Sequence, residues 1–145
     1  MSRWRLTLEY DGAPFCGWQR QSNGPSVQQA LEEAIRGFCG ERVTVAGAGR
    51  TDTGVHAVGQ VAHVDLLRQA TGATVRDALN YHLRPAPVAV LEARPVADDF
   101  HARFSALARC YRYRILDRAA PPVLQRGFVW WTPRPLDVAR MMEAA

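Results

Sequence analysis

One short run holds most of the chemistry in this 145-residue chain. Gly47-Ala48-Gly49-Arg50-Thr51-Asp52-Thr53-Gly54-Val55-His56 sets a carboxylate, Asp52, two residues from a guanidinium, Arg50, among three glycines. Glycine permits positive φ and close backbone approach, so the run reads as a stiff loop. A carboxylate held there can serve as nucleophile or general base provided it stays ionised. A guanidinium a few ångströms away lowers a carboxyl pKa by roughly 1 to 3 units and so favours the anion. Phosphate-binding and dinucleotide loops are excluded by context, because the next segment is another strand instead of a helix and no Gly-Lys-Ser/Thr follows. The residue types fit equally a turn in which Asp52 caps the backbone and pairs with Arg50.

A second chemical signal is charge. All 18 basic residues are arginine, and the formal net charge is +4. Residues 1–99 hold 10 arginines against 11 acids, whereas residues 100–145 hold 8 against 3. Arg103, Arg109, Arg112, Arg114 and Arg118 are interleaved with Phe104, Tyr111 and Tyr113. Guanidinium groups grip phosphate bidentately and stack on bases, so this mixture suits a polyanion with exposed bases; a solvated face is the plainer alternative. His56, His63 and Asp65 lack helical spacing and a fourth ligand, so no metal is expected. Cys16, Cys39 and Cys110 are odd in number and form no C-x-x-C, which argues against a disulfide framework or a zinc ribbon and for a reducing compartment. No apolar run approaches the roughly 20 residues of a membrane span. The first residues lack the apolar stretch of an export signal, so a cytoplasmic protein is expected.

Regular elements must position these residues. Trp4, Leu6, Leu8 and Tyr10 alternate with polar residues as in a half-buried strand, which Asp11-Gly12 and Pro14 stop. Ser26 and Gln29 read as a capping box before Ala30, Leu31, Ala34, Ile35 and Phe38, a helix closing near Gly40. Strands are predicted over 42–47 and 60–66, joined by the enlarged glycine loop. Thr74 and Asp77 suggest the cap of a second helix carrying Val75, Ala78, Leu79 and Leu83, ended by Pro85 and Pro87 ahead of a strand over 88–93. The order β-α-β-β-α-β predicts an α+β, ferredoxin-like domain with a mainly antiparallel sheet over residues 1–99. Residues 100–145 are expected to form a connector and the incomplete start of a second, similar domain, with strands over 108–116 and 128–132 and a helix opening at Pro135-Leu136. On the first of these strands Tyr111 shares a face with Arg109, Tyr113 and Ile115, and Tyr113 reads as a core residue.

Several blocks resemble one family. Gly49-Arg50-Thr51-Asp52-Thr53-Gly54-Val55-His56-Ala57 resembles the signature of the tRNA pseudouridine synthase A family, with Thr53 where alanine is usual. Glu9-Tyr10-Asp11-Gly12 with Phe15, Gly17-Trp18-Gln19-Arg20-Gln21 is similar to its N-terminal block, and Gly59-Gln60-Val61 follows the signature. Residues 98–106 and Arg109-x-Tyr111-Arg112-Tyr113 resemble its next two blocks. The resemblance implies isomerisation of uridine to pseudouridine in the anticodon stem-loop of tRNA, with Asp52 as the catalytic aspartate and no metal or organic cofactor. It implies that Arg50 flips the base, that Tyr111 stacks on the uracil, and that Phe100, His101, Ala102, Arg103 and Phe104 contact RNA. Gln19, Arg20 and Arg68 are further RNA contacts on the same ground, and His56 is a structural loop residue. Homodimerisation of the full-length protein is implied as well. Family members are nearly twice this length, so the chain is expected to be an N-terminal fragment that binds RNA weakly and lacks full activity. The competing expectation is a non-catalytic RNA-binding module on the same ferredoxin-like frame; no RNP-type aromatic motif favours it.

Overall fold

In the computed structural model, which describes residues 1–145, the alternation of the first segment becomes strand β1 (Ser2–Tyr10). Trp4, Leu6, Leu8 and Tyr10 are buried on one face while Arg3, Arg5 and Thr7 stand on the other, the period of two that a strand imposes. Helix α1 (Val27–Cys39) begins at Ser26, whose Oγ accepts the Gln29 N–H, and ends at Gly40 in the left-handed region at φ 77°. The Gln29 side chain bonds to Glu33 instead of reaching back, so only half of the predicted capping box forms. Helix α2 (Gly72–Leu83) is capped by Thr71, three residues before the predicted Thr74. Thr74 occupies the first turn and donates its own N–H to Thr71 Oγ1.

Strands β2 (Ala46–Gly47), β3 (Ala57–Leu66) and β4 (Val88–Val96) join β1 in an antiparallel sheet of order β2-β3-β1-β4. With the chain order β-α-β-β-α-β this is the ferredoxin-like arrangement. Leu6 lies opposite Ala62 on one side and Ala93 on the other. Both helices cover that face, burying Leu31 and Ile35 of α1 and Val75, Leu79 and Leu83 of α2 against Leu8, Val64, Leu66 and Val90. Each such side chain contributes about 1.5 to 3 kcal/mol relative to exposure. Asn80 fastens α2 to β4 by bonding both the N–H and the carbonyl of Val90.

Two predicted boundaries move. The strand expected over 42–47 shortens to Ala46–Gly47 because α1 takes over the backbone of Val45. Glu32 accepts its N–H and Gln28 donates to its carbonyl, which satisfies both groups without a ladder. The first compact unit also runs to Leu107, not to residue 99. Arg3 pairs with Asp65 and donates to the carbonyls of Asp98 and Phe100, while the Ala102 N–H donates to His63. These bonds tie the connector to the sheet.

The second unit, Ala108–Ala145, holds β5 (Ile115–Asp117) and β6 (Trp130–Thr132), paired in parallel, and α3 (Val138–Glu143), capped by Asp137. Its strands are far shorter than predicted, since ladder bonds join only three residues of each. None of its residues is buried. Tyr113, read from sequence as core, is 92% exposed. No helix of the chain is long and apolar enough to cross a membrane.

Candidate active site

Asp52 lies in the loop between β2 and β3, and a second loop, after β1, supports it from below. The Trp18 N–H donates to the Thr51 carbonyl at 2.9 Å, and the hydroxyls of Tyr10 and Thr51 meet at 2.9 Å. Gly17, at φ 101°, comes so close that an added Cβ would stand 2.6 Å from the Thr51 carbonyl oxygen. A Cβ on Gly12 would stand 2.1 Å from the oxygen of Val55. At these two points main chain meets main chain, and only glycine fits. His56 completes the seam, its Nδ1 facing the Gly12 N–H at 3.1 Å and Asp11 Oδ1 at 2.9 Å. The Val55 N–H closes a turn onto the Asp52 carbonyl, with Gly54 at φ 79°. On the β2 side, Gln60 donates to the Gly49 carbonyl and Ala48 donates to Val61.

The result is a fixed backbone under a free-standing side chain. Asp52 and Arg50 are both exposed. The ion pair between them that the sequence allows is not formed; the ion pairs join Arg3 to Asp65, Arg20 to Glu32 and Arg76 to Asp77. The carboxylate is therefore open to solvent. Two surface grooves lie elsewhere on this unit, one along Arg94, Pro95, Val96 and Phe100 and one along Arg20, Gln21, Gly24 and Gln29; Asp52 lines neither.

The other predicted residues divide by location. Gln19 and Arg20 are exposed and follow Trp18, so they sit on the rim of the loop that supports Asp52. The Arg20 guanidinium reaches Glu32 at 2.8 Å, and its N–H is held by Gln28. Arg68 follows the far end of β3, about 30 Å of strand from its first residue, Ala57. Its guanidinium stacks on Phe38 at 4.8 Å. In the segment 100–104, Arg103 and Phe104 are exposed, with His101 against Phe104 at 4.4 Å between ring centres. Ala102 is only 2% exposed and its N–H is spent on His63, so it anchors the segment instead of facing outward. Tyr111 belongs to the second unit and is 69% exposed.

Sequence reasoning gave Tyr10 a place in the first strand and Gly12 a part in ending it, but it linked neither of them, nor Gly17 and Trp18, to the support of the Asp52 loop. The available signal was a glycine-bearing loop after one strand matched by a glycine-bearing loop before its neighbour. His63 was weighed only as a metal ligand, yet no group of three or more His, Cys, Asp or Glu side chains converges on a common point. A polar residue on the strand face turned away from the helices, and still buried, is what marks it.

Comparison with known proteins places the chain in a family. The family model described as tRNA pseudouridine synthase matches residues 7–105, which include both loops and the connector. Proteins named tRNA pseudouridine synthase A are similar over all 145 residues: 63% identity in Rhodospirillum rubrum, 65% in Rhodospirillum centenum and 57% in Parvibaculum lavamentivorans. The chain covers 52%, 59% and 59% of those relatives, so it spans little more than half their length.

Proposed function

The chain belongs to the tRNA pseudouridine synthase family, and from that premise we propose that Asp52 is the catalytic aspartate for conversion of uridine to pseudouridine in the anticodon stem-loop of tRNA. The reaction breaks the bond from ribose C1′ to uracil N1 and forms one from C1′ to C5; the C5 hydrogen leaves as a proton and N1 ends protonated. Nothing is oxidised or reduced. Asp52 can attack the sugar, add to the base, or take up the proton. Each role asks the same of the protein, an ionised carboxylate on a backbone that does not yield. The observation that carries this reading is the exposed Asp52 carboxylate on a loop braced by Gly12, Gly17 and Trp18.

The target base has to leave its stack first, at a cost of a few kcal/mol. Arg50, exposed two residues from Asp52 and not paired with it, is free to enter the space the base vacates. Tyr111 offers a ring for the uracil, and His101, Arg103 and Phe104, with Gln19 and Arg20, hold the flanking RNA. Arg68, engaged with Phe38 at the far end of β3, is the weakest of these contacts. Homodimerisation of a full-length polypeptide and action in the cytoplasm belong to the same reading.

The test is release of tritium from tRNA labelled at uridine C5. It is measured with this chain and with a full-length polypeptide containing it, each with and without Asp52→Ala. We expect the substitution to lower release by the full-length form at least about 100-fold. Equal release from the full-length polypeptide and its Asp52→Ala variant refutes the role of Asp52. Tight binding of anticodon stem-loop RNA without any release by the full-length polypeptide favours the non-catalytic RNA-binding module.

A further inference from the structure

We propose that His63 is a positioning residue for the RNA-contacting segment 100–104, which it clamps to the sheet as a neutral imidazole and releases on protonation. The positioning role rests on the RNA-contact reading of that segment given above; the clamp itself rests on geometry.

Along β3, Ala62, Val64 and Leu66 point into the helix-covered core. His63 points the other way, opposite Arg5 of β1, on the face that no helix covers. It is nevertheless only 8% exposed, because the connector lies over it. The Ala102 N–H donates to His63 Nδ1 at 3.2 Å, and the rings of His101 and Phe100 lie 4.6 Å and 6.2 Å away between centres, Phe100 perpendicular to the imidazole. Ala46 on β2 is the ladder partner of His63. A ring nitrogen that accepts an N–H carries no proton of its own, as in a neutral imidazole. The segment then braces itself, with the His101 N–H on Ser105 Oγ and the Arg103 N–H on His101 Nδ1. Ala102 is thus the one backbone donor through which the run from Phe100 to Phe104 is fastened to the imidazole of β3.

The charged and titratable groups around the ring are Arg3 and Arg5 on β1, Asp65 on β3 and His101 on the connector. Burial, then His101, then Arg3 hold the imidazole below its usual 6.5, with Asp65 and the Ala46 carbonyl opposing. A proton added at Nδ1 replaces the acceptor by a donor that faces the Ala102 N–H. Because the folded state disfavours the proton, the clamp is complete above about pH 6.5 and is lost as pH falls through the depressed folded value. Simple charge attraction predicts the reverse for RNA, since an imidazole that gains a proton as pH falls should tighten binding. The sign of the pH dependence therefore separates the two.

The experiment uses the whole chain and two measurements between about pH 7.5 and pH 5. One is hydrogen-exchange protection of the Ala102 amide relative to its intrinsic rate at each pH; the other is affinity for an unmodified anticodon stem-loop RNA. In the native chain protection falls by up to about tenfold per pH unit below the folded pKa, and RNA affinity weakens with it, while the Leu6 amide stays protected. His63→Asn, which sets a non-titrating oxygen near the place of Nδ1, holds both flat. His63→Leu lowers protection and affinity at every pH; should that variant not fold, the native profile against His63→Asn decides alone. Protection at Ala102 that ignores pH in the native chain, or affinity that rises on acidification with protection intact, overturns the proposal. Exchange that follows His63 in a chain with no RNA affinity at any pH overturns the RNA-contact reading, and with it the positioning role, and is told apart from failure of the clamp by the exchange data.

Discussion

Met1–Leu107 and Ala108–Ala145 draw on the same residue types and put them to opposite use. In the first unit Trp4, Leu6, Ile35 and Val64 are sealed between a sheet and two helices. In the second, Phe128, Trp130, Val138 and Met142 lie open, over a parallel pair of three-residue strands. Apolar content does not make a core; a ladder long enough to present a whole face does. β1 offers nine residues to two neighbours, so each alternate side chain meets partners from both flanking strands and from the helices above. Two strands alone are at best marginally stable in water.

The sharpest way to break the contrast is to cut it. Residues 1–107 alone should unfold in one cooperative thermal transition, and residues 108–145 alone should show none by circular dichroism. A cooperative melt from the shorter piece would abolish the distinction. Within the intact chain, Leu31→Ala should cost about 2 to 5 kcal/mol in urea denaturation, whereas Trp130→Ala should stay within about 0.5 kcal/mol. Comparable losses would mean that the second unit has a core of its own.

A smaller effect sharpens the comparison inside the first unit. Gly17→Ala should cost about 1 to 3 kcal/mol, because the new Cβ meets the Thr51 carbonyl and φ 101° is strained for alanine. It should also lower tritium release by a full-length polypeptide although it leaves every side chain of the Asp52 loop in place. Gly127, at φ 86° in the second unit, has open space around its Cα. Gly127→Ala should therefore show only the cost of its dihedral angle.

The smallest effect is acid-dependent. The bond from Arg3 holds the Asp65 carboxyl below its usual 3.8, against desolvation that acts the other way. The folded state keeps the charge where the unfolded chain would take a proton, so this contribution is full above about pH 4 and fades as pH falls through the depressed value. Both side chains are partly solvated, which limits the effect of Asp65→Asn to under about 1 kcal/mol at pH 7. A deficit that persists unchanged at pH 2 would show that the bond to Arg3 is not its source.

Much of the first unit was legible in the sequence because each element announced itself locally. Strict alternation marked β1, and Ser26 with the 3.6-residue apolar period marked α1. The shortened β2 was not legible, since what replaced its ladder was a pair of side chains, Gln28 and Glu32, supplied by a helix earlier in the chain. The strand predicted over 108–116 failed for a related reason: alternation of Tyr111, Tyr113 and Ile115 prescribes two faces but supplies no partner to bond with. Asp52 and Arg50 stood out by type and spacing, while their brace of Gly12, Gly17 and Trp18 did not. A contact between two main chains leaves no mark on composition beyond the glycine that permits it.

That contact also governs how motion spreads. No rotamer can absorb slack where Gly12 meets Val55 and Gly17 meets Thr51. A nudge on one loop must pass to the other as a rigid displacement. Gln19 and Arg20 continue directly from Trp18, whose N–H grips Thr51. A pull on those two side chains is thus passed on through the Trp18–Thr51 bond to the backbone beside the aspartate.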